Sequence, residues 1–216
     1  MSSPSLLDVN ASTTRFRFAS INGIISDANN ALLDARDKGN DAQRDQVAVL
    51  LDVVEFLRSA GQVQQRVITT FSAFSAAETA VQNEELDRIR SQVDVMATER
   101  RQGRNRYAEL ESNTSEDSMD ATEAISRQTY RRKLAQFDLE LSTANQLPTP
   151  LNRFADGIQR LRDARRLERQ DNFNNARKAA RDAESIFEEV LATLETILEG
   201  DVAPAFEAGI ERLQTA

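Results

Sequence analysis

The sequence predicts an all-α fold: an elongated helical bundle with a long central helix and an antiparallel coiled-coil-like hairpin, followed by a small C-terminal helical unit. Three observations support this prediction. The 216 residues include only four prolines and seven glycines, too few for the turns of an all-β fold. Apolar residues recur at three- and four-residue spacing through most of the chain, as they do on one face of a helix. Residues 41–111 contain no proline and only two glycines, Gly61 and Gly103.

The N-terminal part of the chain predicts a tail and one helix. Residues 1–12 carry serines and a proline without a sustained period, so we expect a flexible tail. A helix is expected to begin near Ser12–Thr14 and to end at Gly39–Asn40, where a glycine permits a left-handed residue. Its apolar face consists of Phe18, Ile21, Ile25, Ala28, Leu32 and Ala35.

The pattern of apolar residues in the stretch 41–111 changes near Leu86. Residues 47–81 show a broad apolar stripe, which suits a bundle of three or more helices, whereas a narrow seam of alternating three- and four-residue spacing follows. A single helix over the whole stretch would be about 105 Å long. Such a helix has to protrude, dimerise or bend, and Gly61 and Gly103 are the expected bends because glycine weakens a helix.

A polar segment, residues 112–118, predicts a chain reversal with its tip near Asn113. The next helix is expected from about Glu116 to Asn145. A short polar turn between two long amphipathic helices is typical of an antiparallel hairpin, so the simplest partner for the narrow seam lies within the same chain. Residues 13–147 are therefore predicted to form one helical bundle that includes this hairpin.

The segment Leu147–Pro150 contains two prolines and is the best candidate for a domain boundary. Residues 148–216 are predicted to form a helical hairpin, with its turn at residues 170–172, and a final short helix. The second helix of that hairpin is predicted to have an apolar face made of Phe173, Ala176, Ala180, Ala183, Phe187, Val190, Leu194 and Ile197.

The spacing of small and apolar residues from Ala164 to Ala183 resembles that of a tetratricopeptide-type helical hairpin or of the three-helix microtubule-interacting and transport domain. The resemblance covers about 50 residues, and no second copy of the period occurs. Solenoid repeats need several stacked copies to bury their apolar faces. We therefore interpret the spacing as the packing of an alanine-rich antiparallel helix pair.

The narrow seam is the candidate interaction surface. Arg100 and Gly103 interrupt it at positions where a closed, dry coiled coil would carry apolar residues. Two interpretations are open: the seam is offered to another chain, or it is locally loosened near the hairpin tip. The seam consists of Leu86, Ile89, Val93, Met96, Arg100, Gly103, Tyr107 and Leu110.

Composition limits the chemistry. The chain has neither cysteine nor histidine, which excludes disulfides, thiolate metal sites and the commonest general base. The acid pairs Glu84–Glu85, Glu188–Glu189 and Glu168–Asp171 could in principle bind a cation or act as acid and base, but solvated helix faces are the simpler interpretation. Since no phosphate-binding loop or nucleophile motif occurs either, we expect no enzyme activity, no cofactor and no metal.

The net charge of −8 disfavours binding to nucleic acid and to anionic lipid. Residues 1–14 lack the basic and apolar segments of a signal peptide, and no stretch is apolar enough to cross a bilayer, so a cytoplasmic location is expected. The resulting hypothesis is a non-enzymatic scaffold or adaptor that acts through helix–helix contacts with protein partners and forms a homodimer. The alternatives are a peripheral membrane-remodelling module, whose amphipathic segment would be Phe16–Ala35, and a helical sensor.

Overall fold

A computed structural model describes residues 11–121 and 125–215, and every regular element in those residues is an α-helix. The all-α prediction is confirmed. Residues 1–10, most of the predicted tail, lie outside the described residues. The helices are α1 (Ala11–Lys38), α2 (Asp41–Gln82), α3 (Leu86–Asn113), α4 (Glu116–Ala121), α5 (Arg127–Gln146), α6 (Pro148–Arg169), α7 (Phe173–Glu199) and α8 (Pro204–Gln214).

The connection between α1 and α2 is a reciprocal cap. The side-chain oxygen of Asn40 accepts a hydrogen bond from the backbone N–H of Gln43, and the side-chain oxygen of Gln43 accepts one from the N–H of Asn40, both at 3.0 Å. Two backbone donors that the helix leaves free are satisfied in this way. The cap explains why α2 begins directly after Asn40.

The helix predicted over residues 41–111 is interrupted between Gln82 and Leu86. After the end of α2, the N–H of Glu85 donates to the carbonyl of Ala80 at 2.8 Å and the N–H of Glu84 donates to that of Val81 at 3.0 Å. These two bonds, with Glu84 at φ 56°, form a Schellman motif, the usual way to end a helix. Glutamate is an uncommon residue for this left-handed position, which glycine normally occupies.

Contacts from α6 hold Glu84 in its position. The guanidinium of Arg165 donates to the carboxylate of Glu84 at 3.0 Å, and Arg162 donates to the backbone carbonyl of the same residue. The expected bends at Gly61 and Gly103 do not coincide with the break, because both glycines lie inside helices. The end of α2 therefore involves tertiary contacts, which the helix propensities of the neighbouring residues do not indicate.

The helices α3 and α5 run antiparallel next to the chain reversal. Arg104 forms an ion pair with Asp138, and further along the chain, just after α3, the hydroxyl of Thr114 lies 3.2 Å from that of Tyr130. The helix expected from Glu116 to Asn145 is divided: α4 ends at Ala121, and α5 begins at Arg127 after Ser126, whose hydroxyl accepts the N–H of Thr129 at 3.2 Å. A serine cap thus starts a new helix within the stretch.

The chain forms two compact units. The first contains the described residues up to Ile68 together with those of Arg101–Leu141, and the second contains Thr69–Arg100 and the described residues from Ser142 onward. Their boundaries fall inside α2, α3 and α5, whereas the sequence suggested a boundary at residues 147–150. At that point α6 follows α5 directly, because proline is tolerated in the first turn of a helix.

The first unit contains an apolar core. Tyr130 packs on Phe56 with ring centroids 5.2 Å apart, and its hydroxyl donates to the carbonyl of Thr114 at 3.3 Å. The buried members of this core are Val53, Phe56, Val63, Val67, Leu110, Met119, Tyr130, Phe137 and Leu141.

The second unit contains the hairpin of α6 and α7, whose helices pack against each other, and α8, which packs against α7. Gly157 lies against the ring of Phe187, so the two helices approach closely there. The turn is a second Schellman motif, with Asp171 at φ 57°. The rings of Phe71, Phe74 and Phe206 form an aromatic cluster in the same unit.

Candidate interaction surface

The seam predicted as the interaction surface faces inward. Five of its members, Leu86 to Arg100, belong to the second unit, and the other three belong to the first. The buried members are Leu86, Ile89, Val93, Met96, Gly103 and Leu110, whereas Arg100 and Tyr107 are half-buried. A partner could reach the buried members only if the helices of this chain separated. An interaction role for the seam stays a prediction.

Gly103 allows a close helix contact. A Cβ atom at this position would lie 2.8 Å from a methyl carbon of Leu141 on α5 and 3.3 Å from the Cβ of Arg66 on α2. Such distances leave no room for a larger side chain. The glycine in the seam is therefore explained by tight packing within the first unit rather than by a loosened hairpin tip.

The two polar members of the seam differ in their surroundings. Nε of Arg100 is buried without a hydrogen-bond partner in the part of the chain that the structure describes. Tyr107 packs beside the core of the first unit and lies under the guanidinium of Arg104, 5.8 Å from its ring centre. Burial, and next the charge of Glu111, raise the pKa of the Tyr107 hydroxyl, so this phenol remains neutral.

The carboxylates considered as cation or acid–base sites either form ion pairs with arginines or are exposed to solvent. Glu84 binds Arg165, Glu85 binds Arg88 at 3.0 Å, and Glu189 binds Arg153 at 2.8 Å. Among the described residues, no group of three or more potential ligands could hold a metal ion. These contacts support the interpretation of the pairs as helix-surface charges.

An open depression of 490 Å³ lies in the second unit. Charged and amide side chains form most of its wall, including Asp87, Arg88, Gln159 and Arg162. Small-molecule sites are normally enclosed and mostly apolar, with few convergent polar groups. The depression therefore does not have the character of a substrate pocket.

One buried carboxylate has a strong partner. Glu78 on α2 is buried, and both of its oxygens accept hydrogen bonds from the guanidinium of Arg212 on α8, with 2.9 Å between Nη2 and Oε2. The same hydrogen bonds raise the pKa of Arg212. Since a bidentate pair compensates much of the cost of burying a charge, this contact fixes α8 within the second unit.

A second buried carboxylate, Glu140 in the first unit, is only partly compensated. The side chain is 8% exposed, and one oxygen accepts a hydrogen bond from Gln136 at 2.9 Å while the other has no partner among the described residues. Burial raises the pKa of Glu140, and the hydrogen bond from Gln136 and the charge of Lys133 offset only part of this effect. The folded chain therefore binds a proton here more readily than the unfolded chain does.

Replacing Glu140 with glutamine is expected to raise the free energy of unfolding at pH 7 by about 1 kcal/mol, because the buried charge is removed. When folding raises the pKa of a carboxyl group, the folded protein loses stability as the pH rises from the ordinary pKa of that group to the raised value. The gain of the variant should thus disappear below about pH 4, where the native carboxyl is protonated. Urea unfolding at both pH values measures this difference.

The matched control is Glu111→Gln, which removes the same charge from an exposed residue of the first unit. We expect little change in stability for the control at either pH, since exposed charges contribute little. An equal effect of the two substitutions would show that net charge, rather than burial of Glu140, determines the difference.

None of the exposed large apolar side chains that the structure describes is a member of the predicted seam. Ile24 of α1 is 66% exposed, and Phe173 at the start of α7 is 61% exposed. Phe173 and Ala180 were predicted to belong to the buried face of α7, but both are exposed, and Ala179 is buried instead. Among the side chains that the structure describes, the set is Ile21, Ile24, Leu50 and Leu57 in the first unit and Val95, Phe173 and Leu191 in the second.

The sequence did contain a signal for part of this set. Leu191 follows the buried Val190 and precedes the buried Leu194, so it cannot share their face of α7. Phe173 lies in the first turn of its helix, directly after Asn172. The outward face of α7, considered separately from its buried face, would have indicated these two residues.

Comparison of the chain with protein-family models, with curated proteins and with solved structures finds no significant match. Among the residues that the structure describes, no helix combines the length and the apolar character needed to cross a bilayer.

Proposed function

We propose that this protein is a non-enzymatic helical scaffold or adaptor that acts through helix–helix contacts and associates with itself. The observation that carries the proposal is that, in the part of the chain that the structure describes, seven large apolar side chains are exposed on helix surfaces. Exposed apolar residues that line a helix face can anchor another helix, and such contacts are a common way for helical proteins to recognise partners.

The charged groups support the same function. Glu84, Glu85 and Glu189, candidates for cation or acid–base chemistry, are engaged in ion pairs with arginines. The buried Glu78 is held by Arg212 and stabilises the second unit. These groups are therefore best interpreted as parts of the helix surfaces and of the core, which leaves the exposed helix faces as the functional surface.

Size-exclusion chromatography with light scattering on the full chain tests self-association. We expect a mass of twice 24.1 kDa at micromolar concentrations and a decline toward the monomer on dilution. A mass of one chain over the whole accessible range of concentration would contradict the proposal.

A second candidate, binding to a membrane surface, is favoured by one observation. Ile21 and Ile24 are exposed on α1, and an amphipathic helix can bury such side chains in the lipid interface. Co-sedimentation with phosphatidylserine-containing vesicles at low salt distinguishes this candidate. The net charge of −8 opposes such binding, and we expect the protein to stay in the supernatant.

A further inference from the structure

The outward face of α7 carries one continuous stripe of exposed side chains. Apart from one adjacent pair, its members recur at three- and four-residue spacing, so they lie along one side of the helix, away from the buried face formed by Ala176, Ala183 and Val190. The stripe begins with Phe173, which is 61% exposed, and Leu191, which is 39% exposed, lies near its other end. We call this set the α7 stripe: Phe173, Arg177, Ala180, Arg181, Glu184, Glu188, Leu191 and Glu195.

The charges along α7 are segregated by sign. Residues 173–181 carry three basic residues and no acid, whereas residues 182–195 carry five acids and no base. Arg177 and Arg181 are four residues apart on the same face, and so are Glu184 and Glu188. Like charges at this spacing destabilise a helix. The isolated chain therefore gains no stability from these two like-charged pairs.

The charged members of the α7 stripe form no ion pair with any residue that the structure describes. The neighbouring Glu189, by contrast, lies off the stripe and binds Arg153 of α6. The charges of the stripe are thus available to a partner.

Building on the proposed self-association, we propose that the α7 stripe is the surface through which two copies of this chain pair, with their α7 helices antiparallel about a two-fold axis near residue 182. In this arrangement Phe173 lies opposite Leu191 of the second copy. Arg177 lies opposite Glu188 of the second copy, and Arg181 opposite Glu184. Because the interface is isologous, every one of these contacts occurs twice.

Charge complementarity identifies the second copy as the occupant. An anionic partner such as nucleic acid would suit the basic end of the stripe, but the acidic end would repel it. A cationic partner would meet the converse problem. The stripe is complementary to itself when reversed, and the reversal also brings the two exposed apolar residues into contact, which removes both from water.

Charge exchange across the interface tests the proposal. Arg177→Glu and Glu188→Arg each place like charges opposite one another at two symmetric positions, so each is expected to weaken the dimer at least about tenfold. The double variant Arg177→Glu/Glu188→Arg restores opposite charges and is expected to return the dissociation constant to within about threefold of that of the native chain. Sedimentation equilibrium on the full chain measures these constants.

The matched control is Lys178→Glu. It makes the same change of charge on the adjacent residue, which points about 100° away around the helix. Lys178 is exposed and outside the α7 stripe, so this variant is expected to dimerise within about threefold of the native chain. Phe173→Ala, which removes an apolar anchor, is expected to weaken the dimer about tenfold.

The outcomes separate this inference from the function it builds on. Weakening by both single variants, with recovery in the double variant, supports the α7 interface. A native dimer that is unaffected by Arg177→Glu, Glu188→Arg and Phe173→Ala overturns the α7 interface while self-association stands. Equal weakening by Lys178→Glu and Arg177→Glu, without recovery in the double variant, also overturns it. A native chain that remains monomeric overturns both proposals.

Discussion

Replacing Phe74 with alanine is expected to lower the free energy of unfolding of the second unit by about 4 kcal/mol. The side chain of Phe74 is 0% exposed and belongs to the aromatic cluster, with its ring centroid 5.5 Å from that of Phe206 and 6.5 Å from that of Phe71. Truncation removes these contacts and leaves a cavity that surrounding helices fill only in part. Urea unfolding followed by circular dichroism measures the loss.

Leu57→Ala is the control, because Leu57 lies on the same helix, α2, but is exposed. Truncating an exposed side chain is expected to cost about 0.5 kcal/mol or less. If Phe74→Ala were as mild as the control, Phe74 could not be a central residue of the core.

Replacing Gly209 with alanine is expected to destabilise the same unit by about 2 kcal/mol. A Cβ atom at Gly209 on α8 would meet the ring of Phe74, with 3.0 Å to its Cζ, and would lie 3.2 Å from a carboxylate oxygen of Glu78. The ring cannot move aside, since it is enclosed by the aromatic cluster, and overpacking of this kind costs about 1–3 kcal/mol. This cost outweighs the gain of about 1 kcal/mol that alanine normally brings to a helix. Urea unfolding of the variant measures the net effect.

Two controls make the test specific. Gly61→Ala, at a helical glycine where a Cβ atom would have no neighbour within 4 Å, is expected to stabilise the chain by about 1 kcal/mol. In the Phe74→Ala background, the space left by the ring should make Gly209→Ala neutral or stabilising. Additive losses in the double variant would show that the two residues do not share this contact.

The helical character of the chain was predictable from its sequence because the apolar period is strong and the prolines are few. The ends of the helices were predictable where a local signal exists. Pro148 and Pro150, in the first turn of α6, stop α5 and start the next helix, and Gly200 lies just beyond α7. These signals act within a few residues, so they can be read without knowledge of the tertiary structure.

The end of α2 could not be predicted in this way. Glu84 occupies a left-handed position that favours glycine, and the arginines that bind it lie 78 and 81 residues away in the sequence. Gly61 and Gly103, the expected weak points of the stretch, lie within helices instead. Gly103 is explained by its packing against Leu141, a contact between helices that no periodicity identifies.

The candidate site shows a related limit. Periodicity correctly finds an apolar seam in α3, but it cannot distinguish a seam that another chain covers from one that the same chain covers. Burial of Ile89, Met96 and Leu110 shows that this chain covers those positions. The exposed face of α7 carries only two large apolar residues, Phe173 and Leu191. Apolar periodicity therefore does not indicate this face.

The most direct test of the central claim, antiparallel self-association through α7, is a distance measurement between two copies. The chain has no cysteine, so single labelling sites can be introduced at Asn174 and Ser185, both exposed beside the α7 stripe. Double electron–electron resonance spectroscopy then measures one intermolecular distance between spin labels for each variant. With 1.5 Å rise per residue, antiparallel pairing about residue 182 separates the two labels at 174 by about 24 Å along the helix axis and the two labels at 185 by about 9 Å, so the distance measured at 174 is expected to be clearly the longer. Equal distances at the two sites, or no intermolecular coupling at all, would contradict this pairing.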